Sequence, residues 1–194
     1  DLRAEEFNGR VNTGQGEQRR KKLLDYLAAR DLLPAKAKIL DIGCGPGSFA
    51  LAFAKTAGQV DGIDISPNMV RYARENASQE NRDNAVFEVA DWETLDLEER
   101  GWTQRYDLVF ASMCPGINSS ATLLKMCRAS KGACFMSSFA EREGDLRDEL
   151  HRYIYGQEPG RRWGRNIYCA VNILFLSGYY PEIAYHDAEW DNAW

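Results

Sequence analysis

The segment 38–53, KILDIGCGPGSFALAF, constrains the fold of this chain more than any other stretch. An apolar run ends in an acid, three closely spaced glycines follow, and a run of small and apolar residues begins at once. This order predicts a strand, a tight turn and a helix, which together form the first unit of a doubly wound α/β sheet. Gly43, Gly45 and Gly47 permit the sharp turn, and they leave no Cβ between the backbone and a ligand.

The acid that precedes the glycines, Asp41, indicates what kind of ligand the turn accepts. The dinucleotide turn GxGxxG binds a pyrophosphate at the N-terminus of the helix that follows it. Here the spacing is GxGxG, and Ser48 occupies the position of the third glycine. A like charge about 4 Å from Asp41 would cost roughly 4 kcal/mol at an effective dielectric constant near 20. Asp41 therefore opposes a pyrophosphate and favours a cation.

A second acid, Asp64, lies at the end of the next predicted strand, residues 59–65 (QVDGIDI). It follows Asp41 by 23 positions (64 − 41). An acid about 20 residues after the turn, at the end of the second strand, can accept both hydroxyl groups of a ribose. Asp61 is the alternative, but it lies near the start of the strand, away from the edge where ligands bind.

The pattern DIGCGPG resembles the first motif of class I S-adenosylmethionine (SAM)-dependent methyltransferases, and residues 64–77, DISPNMVRYARENA, resemble their second. SAM carries an ammonium and a sulfonium group and no phosphate, in agreement with the charge of Asp41. The resemblance covers residues 38–139. It implies a doubly wound, mostly parallel α/β sheet with helices on both faces, SAM as the cofactor, S-adenosylhomocysteine (SAH) as the product, and methyl transfer as the activity.

The resemblance also implies which residues surround the adenine. Ile65 and Met69 flank the ring, and Asp91, which follows a third predicted strand at 85–90, accepts the amino group. The main-chain amide of Trp92 meets the ring, and its indole offers a flat apolar surface. Alternatively, Met69 is a core residue, and Asp91 caps a helix that begins with a surface tryptophan. The predicted cofactor-binding residues are Asp41, Gly43, Cys44, Gly45, Gly47, Asp64, Ile65, Met69, Asp91, Trp92 and Ser112.

The rest of the chain predicts one domain, 1–194, in three parts. Residues 1–33 form an N-terminal lid and helix, 38–139 form the core, and 140–194 form a variable substrate-side region. The further predicted strands are 106–112, 133–139 and 182–186, and the further predicted helices are 17–33, 119–129, 141–156 and 166–177. Sheets of the resembled family end with an antiparallel seventh strand, yet only DAEWDNAW follows residue 186. We therefore expect the natural protein to continue past Trp194, or a partner to cover this sheet edge.

The sequence assigns no catalytic residue. The candidates for a general base are few, and Cys114, at the mouth of the fourth strand, is the best placed; the others are Glu143, His151, Tyr153 and His186. The segment MCPGINSS lacks the Asp/Asn-Pro-Pro-aromatic signature of many enzymes that methylate amino groups of nucleic acids or glutamine. A later loop could hold a carboxylate or phosphate, or could be an ordinary solvated loop; it carries Arg161, Arg162, Trp163 and Arg165.

Composition limits the partners. The formal net charge is −5 and the pI about 5.2, so neither nucleic acid nor an anionic membrane is favoured. No apolar run approaches the ~20 residues of a membrane span. Five cysteines without metal-ligand spacing predict no metal and reduced thiols, as in the cytoplasm. We expect a small-molecule substrate, with the oligomeric state open. The alternatives are an aminopropyl transferase, an NAD-dependent oxidoreductase and a non-catalytic SAM-binding module.

Overall fold

The structure is a computed structural model, and it describes residue 9 and residues 14–138, 146–156 and 165–185. Five strands lie in the first two thirds of the chain, with a helix between successive strands except between the third and the fourth. The strands are β1 (Lys38–Ile42), β2 (Gln59–Asp64), β3 (Ala85–Val89), β4 (Tyr106–Ser112) and β5 (Ser130–Ser137). The helices are α1 (Gly14–Ala28), α2 (Ser48–Phe53), α3 (Pro67–Gln79), α4 (Ser120–Ala129), α5 (Leu146–Tyr155) and α6 (Arg165–Leu176).

The five strands form one parallel sheet in the order β3-β2-β1-β4-β5. The chain builds outward from β1 in one direction through β2 and β3, then crosses back and builds in the other direction through β4 and β5. This reversal places the carboxyl ends of β1 and β4 side by side, and open α/β sheets bind ligands in the crevice there. The predicted doubly wound α/β fold is confirmed.

The central strands are apolar on both faces, as expected for a parallel sheet covered by helices. In β1 and β4, Ile39, Leu40, Leu108, Val109 and Phe110 are all at most 2% exposed. Of these, Ile39, Leu108 and Phe110 pack with α1, α2 and α3 in one cluster of buried side chains. Because the core lies along β1 and β4, the loops that leave their carboxyl ends start from the best-packed part of the molecule.

Several element boundaries differ from the prediction, and three elements differ most. The first helix ends at Ala28 rather than residue 33, because Asp31 adopts a left-handed φ of 55° and Leu32 N–H bonds back to the Leu27 carbonyl, which is a Schellman cap. The strand β5 begins at Ser130, three residues early, because α4 passes directly into it. Residues 182–185 carry no strand assignment, so the sixth strand predicted at 182–186 is wrong over that range, and His186 lies outside the described residues.

The chain divides into two compact units, Asp1–Ser137 and Ser138–Trp194. The first contains the sheet, and the described part of the second contains α5 and α6. The single-domain organisation stays a prediction. Most of the predicted lid, up to residue 13, lies outside the described residues. Within the described ranges, no helix combines the length and the apolar character that crossing a membrane requires.

Candidate cofactor site

The site begins at the turn between β1 and α2, where the glycines adopt conformations that other residues rarely take. Gly43 has a φ of 70° and Gly47 a φ of 85°. The N–H groups of Gly43 and Cys44 both donate to the Ile63 carbonyl, at 2.8 and 2.9 Å, which ties the turn to the end of β2. A Cβ on Gly43 would lie 2.6 Å from Cys114 Sγ, so this glycine also allows the β4 loop to approach. The turn therefore joins the ends of three adjacent strands.

Asp64 holds this turn from the end of β2. Its Oδ2 accepts the Gly45 N–H at 2.9 Å, and its Oδ1 accepts the Ser66 N–H at 2.9 Å. The rival acid, Asp61, is engaged elsewhere: its Oδ1 accepts from Gln59 Nε2 at 2.8 Å and its Oδ2 from the Tyr106 hydroxyl at 2.8 Å. Of the two acids, Asp64 is thus the one at the glycine turn.

Asp41 is a buried carboxyl group at the end of β1. It is 2% exposed, and its Oδ2 has no hydrogen-bond partner among the described residues. Burial, and then the negative charge of Asp64, raise the pKa of Asp41 from 3.8 to about 7, against a smaller opposite effect of the Ala50 N–H. A buried oxygen without a donor is rare in folded proteins, and it can accept a hydrogen bond from a ligand or face a cationic group.

Two thiols lie near this carboxyl group. Burial, followed by the charges of Asp41 and Asp64, raises the pKa of Cys44. The same causes raise the pKa of Cys114, although two N–H groups of its own loop oppose them. Both side chains therefore stay protonated at neutral pH, and the site carries negative charge only on its carboxyl groups.

The ring of Phe87 in β3 supports the glycine turn from below. A Cβ built on Gly47 would lie 3.0 Å from Phe87 Cζ, and one on Gly62 would lie 2.6 Å from Phe87 Cδ1. Arg74 holds Phe87 in turn, since its Nε and Nη2 donate to the Phe87 carbonyl at 3.0 and 2.7 Å. Phe87 was missed in the sequence, where it is one apolar residue of a strand with nothing to mark its contact with the turn.

The third predicted acid, Asp91, begins a turn after β3. Its Oδ1 accepts the Glu93 N–H at 2.9 Å, and its carbonyl accepts the Leu95 N–H at 2.9 Å. Trp92 is not the surface side chain that the alternative expected: it is 3% exposed, and its Nε1 donates to the Thr122 carbonyl at 3.1 Å. The buried indole packs against α4 and therefore offers adenine no flat surface. The contact of the Trp92 main-chain amide with the ring stays a prediction.

The remaining predicted residues line the same edge of the sheet. Ile65 is 69% exposed directly after β2, and Met69 is half-buried in the first turn of α3, where its N–H donates to the Ser66 cap. Ser112, at the end of β4, forms a hydrogen bond of 2.9 Å with Ser137 Oγ of β5. An exposed apolar side chain such as that of Ile65 is suited to contact with a ring. The contact of Ile65 with the adenine stays a prediction.

The other candidates belong to the second unit. Tyr153 is 88% exposed on α5, and His151 lies on the same helix. Glu143, His186 and the loop with Arg161, Arg162 and Trp163 lie outside the described residues, while Arg165 begins α6. The described ranges contain no group of three or more His, Cys, Asp or Glu side chains that could hold a metal ion.

A parallel sheet with this strand order and an acid–glycine turn at its switch point define the class of protein. A family model described as a methyltransferase domain matches residues 33–168, which is more than half of the chain. The chain therefore belongs to this family, the class I SAM-dependent methyltransferases, and the predicted family, fold and SAM cofactor are confirmed.

Individual relatives match only in part. Over 78 residues, 40% of this chain and 32% of the relative, it is 41% identical to a ubiquinone biosynthesis O-methyltransferase of Xanthomonas campestris. Over 97 residues, 50% of this chain and 21% of the relative, it is 34% identical to a 23S rRNA (uracil(1939)-C(5))-methyltransferase of Shewanella sediminis. The chain thus spans between about a fifth and a third of the length of these curated relatives.

Among solved structures, the magnesium protoporphyrin IX methyltransferase of Synechocystis with bound SAH is similar to this chain, with a TM-score of 0.58 and 23% identity. The similarity covers 81% of this chain and 71% of that one. At this identity the likeness concerns the fold.

Proposed function

We propose that this chain transfers a methyl group from SAM to a small-molecule acceptor, with the cofactor bound at the turn between β1 and α2. The observation that carries the proposal is the Asp41 carboxyl group, which is buried beside the glycine turn with one oxygen unpartnered among the described residues. A phosphate at this point would add to the repulsion that already raises the pKa of Asp41. A cation would remove it, and SAM is the cofactor of this fold that brings cations without phosphate.

Each part of the cofactor has residues of matching chemistry. Asp41 would hold the cationic end, and Asp64, already fixed by the Gly45 N–H, would accept the ribose hydroxyl groups with its remaining lone pairs. Ile65 would contact the adenine ring, and Asp91 would accept its amino group. When bound, SAM supplies an electrophilic methyl group on its sulfonium sulfur.

The described residues near the end of β4 provide position rather than proton transfer. Ser112 is hydrogen-bonded to Ser137, and the pKa of the Cys114 thiol is raised, so neither is a ready base at neutral pH. We assign no catalytic base. An acceptor that is a thiol, an amine or a stabilised anion needs none, because alignment of the reacting atoms at contact distance supplies much of the rate.

The charge of the chain supports a small-molecule acceptor. The chain has 29 acidic and 24 basic residues. Proteins that bind the phosphate backbone of a nucleic acid usually carry an excess of lysine and arginine. The similarity to a ubiquinone biosynthesis enzyme agrees with a small acceptor. The similarity to an rRNA methyltransferase favours RNA as a second candidate, although that match covers 21% of the relative.

Methyl-labelled SAM tests the proposal directly. The protein is incubated with labelled SAM and either a small-molecule extract of cells or a deproteinised RNA fraction, and the label is followed into each. We expect labelled product from the extract alone. Label in RNA would move the acceptor to the second candidate, and SAH binding in calorimetry without any transfer would favour a non-catalytic SAM-binding module. Binding of NAD more tightly than SAH would overturn the cofactor assignment itself.

A further inference from the structure

Lys125, on α4, is bonded to the turn that follows β3. Its Nζ donates to three main-chain carbonyls, those of Trp92 at 2.8 Å, Glu93 at 3.0 Å and Leu95 at 2.7 Å. An ammonium group has three N–H donors, and here each of them has an acceptor on the same short turn. The ammonium also lies 5.4 Å from the centre of the Trp92 ring, within the range of a cation–π contact.

A second contact fixes the same turn to the same helix. The Trp92 indole N–H donates to the carbonyl of Thr122, three residues before Lys125 on α4. Thr122 belongs to the capping box that starts the helix, in which Ser119 Oγ accepts the Thr122 N–H at 3.2 Å. The turn is thus attached to the first, well-formed part of α4 at two points.

Lys125 and Asp91 bond to different main-chain groups of the turn 91–95. Lys125 donates to carbonyl groups of the turn, whereas Asp91 accepts from its amide groups. The Asp91 carboxylate accepts the Glu93 N–H, and the Asp91 carbonyl accepts the Leu95 N–H. The carbonyls of residues 92, 93 and 95 would otherwise have to bond to water. Lys125 therefore stabilises the closed form of a turn of about five residues. Ordering a loop of this length costs conformational entropy, and the bonds to Lys125 offset that cost.

Three carboxylates lie close enough to the Lys125 ammonium to act on its charge. Burial, and then the neighbouring Arg128, lower the pKa of Lys125, while the charges of Asp91, Asp96 and Glu93 oppose this change. Those carboxylates offset part of the cost of holding a positive charge at the turn. A neutral side chain of similar length would lose both the bonds and this attraction.

We propose that Lys125 is a positioning residue that holds the turn 91–95 in the conformation that binds the adenosine part of the cofactor. This inference rests on the proposed function, in which Asp91 accepts the adenine amino group, and on the predicted contact of the Trp92 amide with the ring. Lys125 touches the turn and not the ligand, so its effect reaches the cofactor only through Asp91 and Trp92. Its contribution is to keep the ligand-binding groups of the turn ordered before the cofactor arrives.

Calorimetry with SAH and with 5′-methylthioadenosine tests this role. Lys125→Met keeps the length of the side chain and removes its donors, and Lys125→Arg restores a cation with several donors. Lys131→Met is the matched control, because Lys131 is an exposed lysine of β5 that bonds to Asp107 at 3.1 Å. We expect Lys125→Met to raise the Kd of both ligands by about tenfold, close to the lower end of the range for hydrogen bonds to charged groups.

The pattern of changes separates positioning from a loss of folded protein. Both ligands carry the adenosine, so both Kd values should rise by the same factor at unchanged stoichiometry, with partial recovery in Lys125→Arg and none of the effect in Lys131→Met. An unchanged Kd, or a lower stoichiometry at unchanged Kd, would overturn the proposal. If Lys125→Met does not fold, Lys125→Gln replaces it under the same criteria. Wild-type protein that binds neither ligand would instead refute the proposed function.

Discussion

Replacement of Asp41 by asparagine should stabilise the ligand-free protein at alkaline pH. The folded state binds a proton on this carboxyl group more tightly than the unfolded state does, because burial and Asp64 raise its pKa from 3.8 to about 7. Folding therefore takes up a proton between these pH values, and the stability of the wild type falls as the pH rises through the window. The asparagine variant has no such group and does not show this fall.

The size of the effect follows from the two pKa values. One pKa unit corresponds to 1.36 kcal/mol, so the full change from below pH 3.8 to above pH 7 is roughly 4 kcal/mol. Roughly 2.5 kcal/mol of it falls between pH 5 and pH 8, where the remaining structure is expected to stay intact. The free energy of unfolding of Asp41→Asn minus that of the wild type should rise by this amount across the range.

Urea unfolding at pH 5, 6, 7 and 8, followed by tryptophan fluorescence, measures this difference. The control is Asp107→Asn, because the Lys38 N–H and Lys131 lower the pKa of Asp107 and keep its titration below the range. The control's difference from the wild type should be constant from pH 5 to pH 8. A constant difference for Asp41→Asn as well, or one that falls with pH, would refute the account of Asp41 as a destabilising buried charge. The stabilised variant should also bind SAH more weakly, since the cation loses its counter-charge.

Two further substitutions test the geometry around this group. Asp64→Ala should weaken SAH binding by about 1.5–3 kcal/mol, the range for hydrogen bonds to a charged group. In the same calorimetric titration, Asp61→Ala should leave SAH binding unchanged. Equal effects of the two substitutions would mean that the acid that binds the ribose is wrongly assigned. Gly43→Ala should lower the free energy of unfolding in urea by about 1–3 kcal/mol, because the new Cβ would lie 2.6 Å from Cys114 Sγ at a residue with a φ of 70°. Adding Cys114→Ala should recover part of this loss. No recovery would show that backbone strain alone is responsible.

The residues that a short motif contains could be predicted, whereas the contacts between distant segments could not. Asp41, the three glycines and Asp64 lie where parallel-strand geometry requires, because a strand end and the turn after it are local features. Asp64 could be preferred over Asp61 from position alone. The physical reason came only from the structure, since the partner of Asp61 is Tyr106, 45 residues further on.

Trp92 shows where local reasoning fails. An aromatic residue after a strand suits both a ligand surface and a core position, and the sequence does not distinguish them. The Thr122 carbonyl, which decides the matter, lies 30 residues away. Lys125 was missed for the same reason: a lysine on an amphipathic helix is usually solvated, and nothing nearby marks the three carbonyls that it meets. The strand predicted at 182–186 does not form over residues 182–185.

The ring of Phe87 has a consequence for how relatives of this protein can diverge. It fills the space that side chains at positions 47 and 62 would need, so the glycine turn, β2 and β3 share one volume. A larger residue at position 62 is compatible only with a smaller one at position 87, because interiors are close-packed and do not absorb an extra methyl group freely. In an alignment of relatives, these two columns should change together in opposite directions of size. Ancestral changes at either position would then have had to pass through a narrow set of intermediates, which would make this corner of the cofactor site slow to evolve.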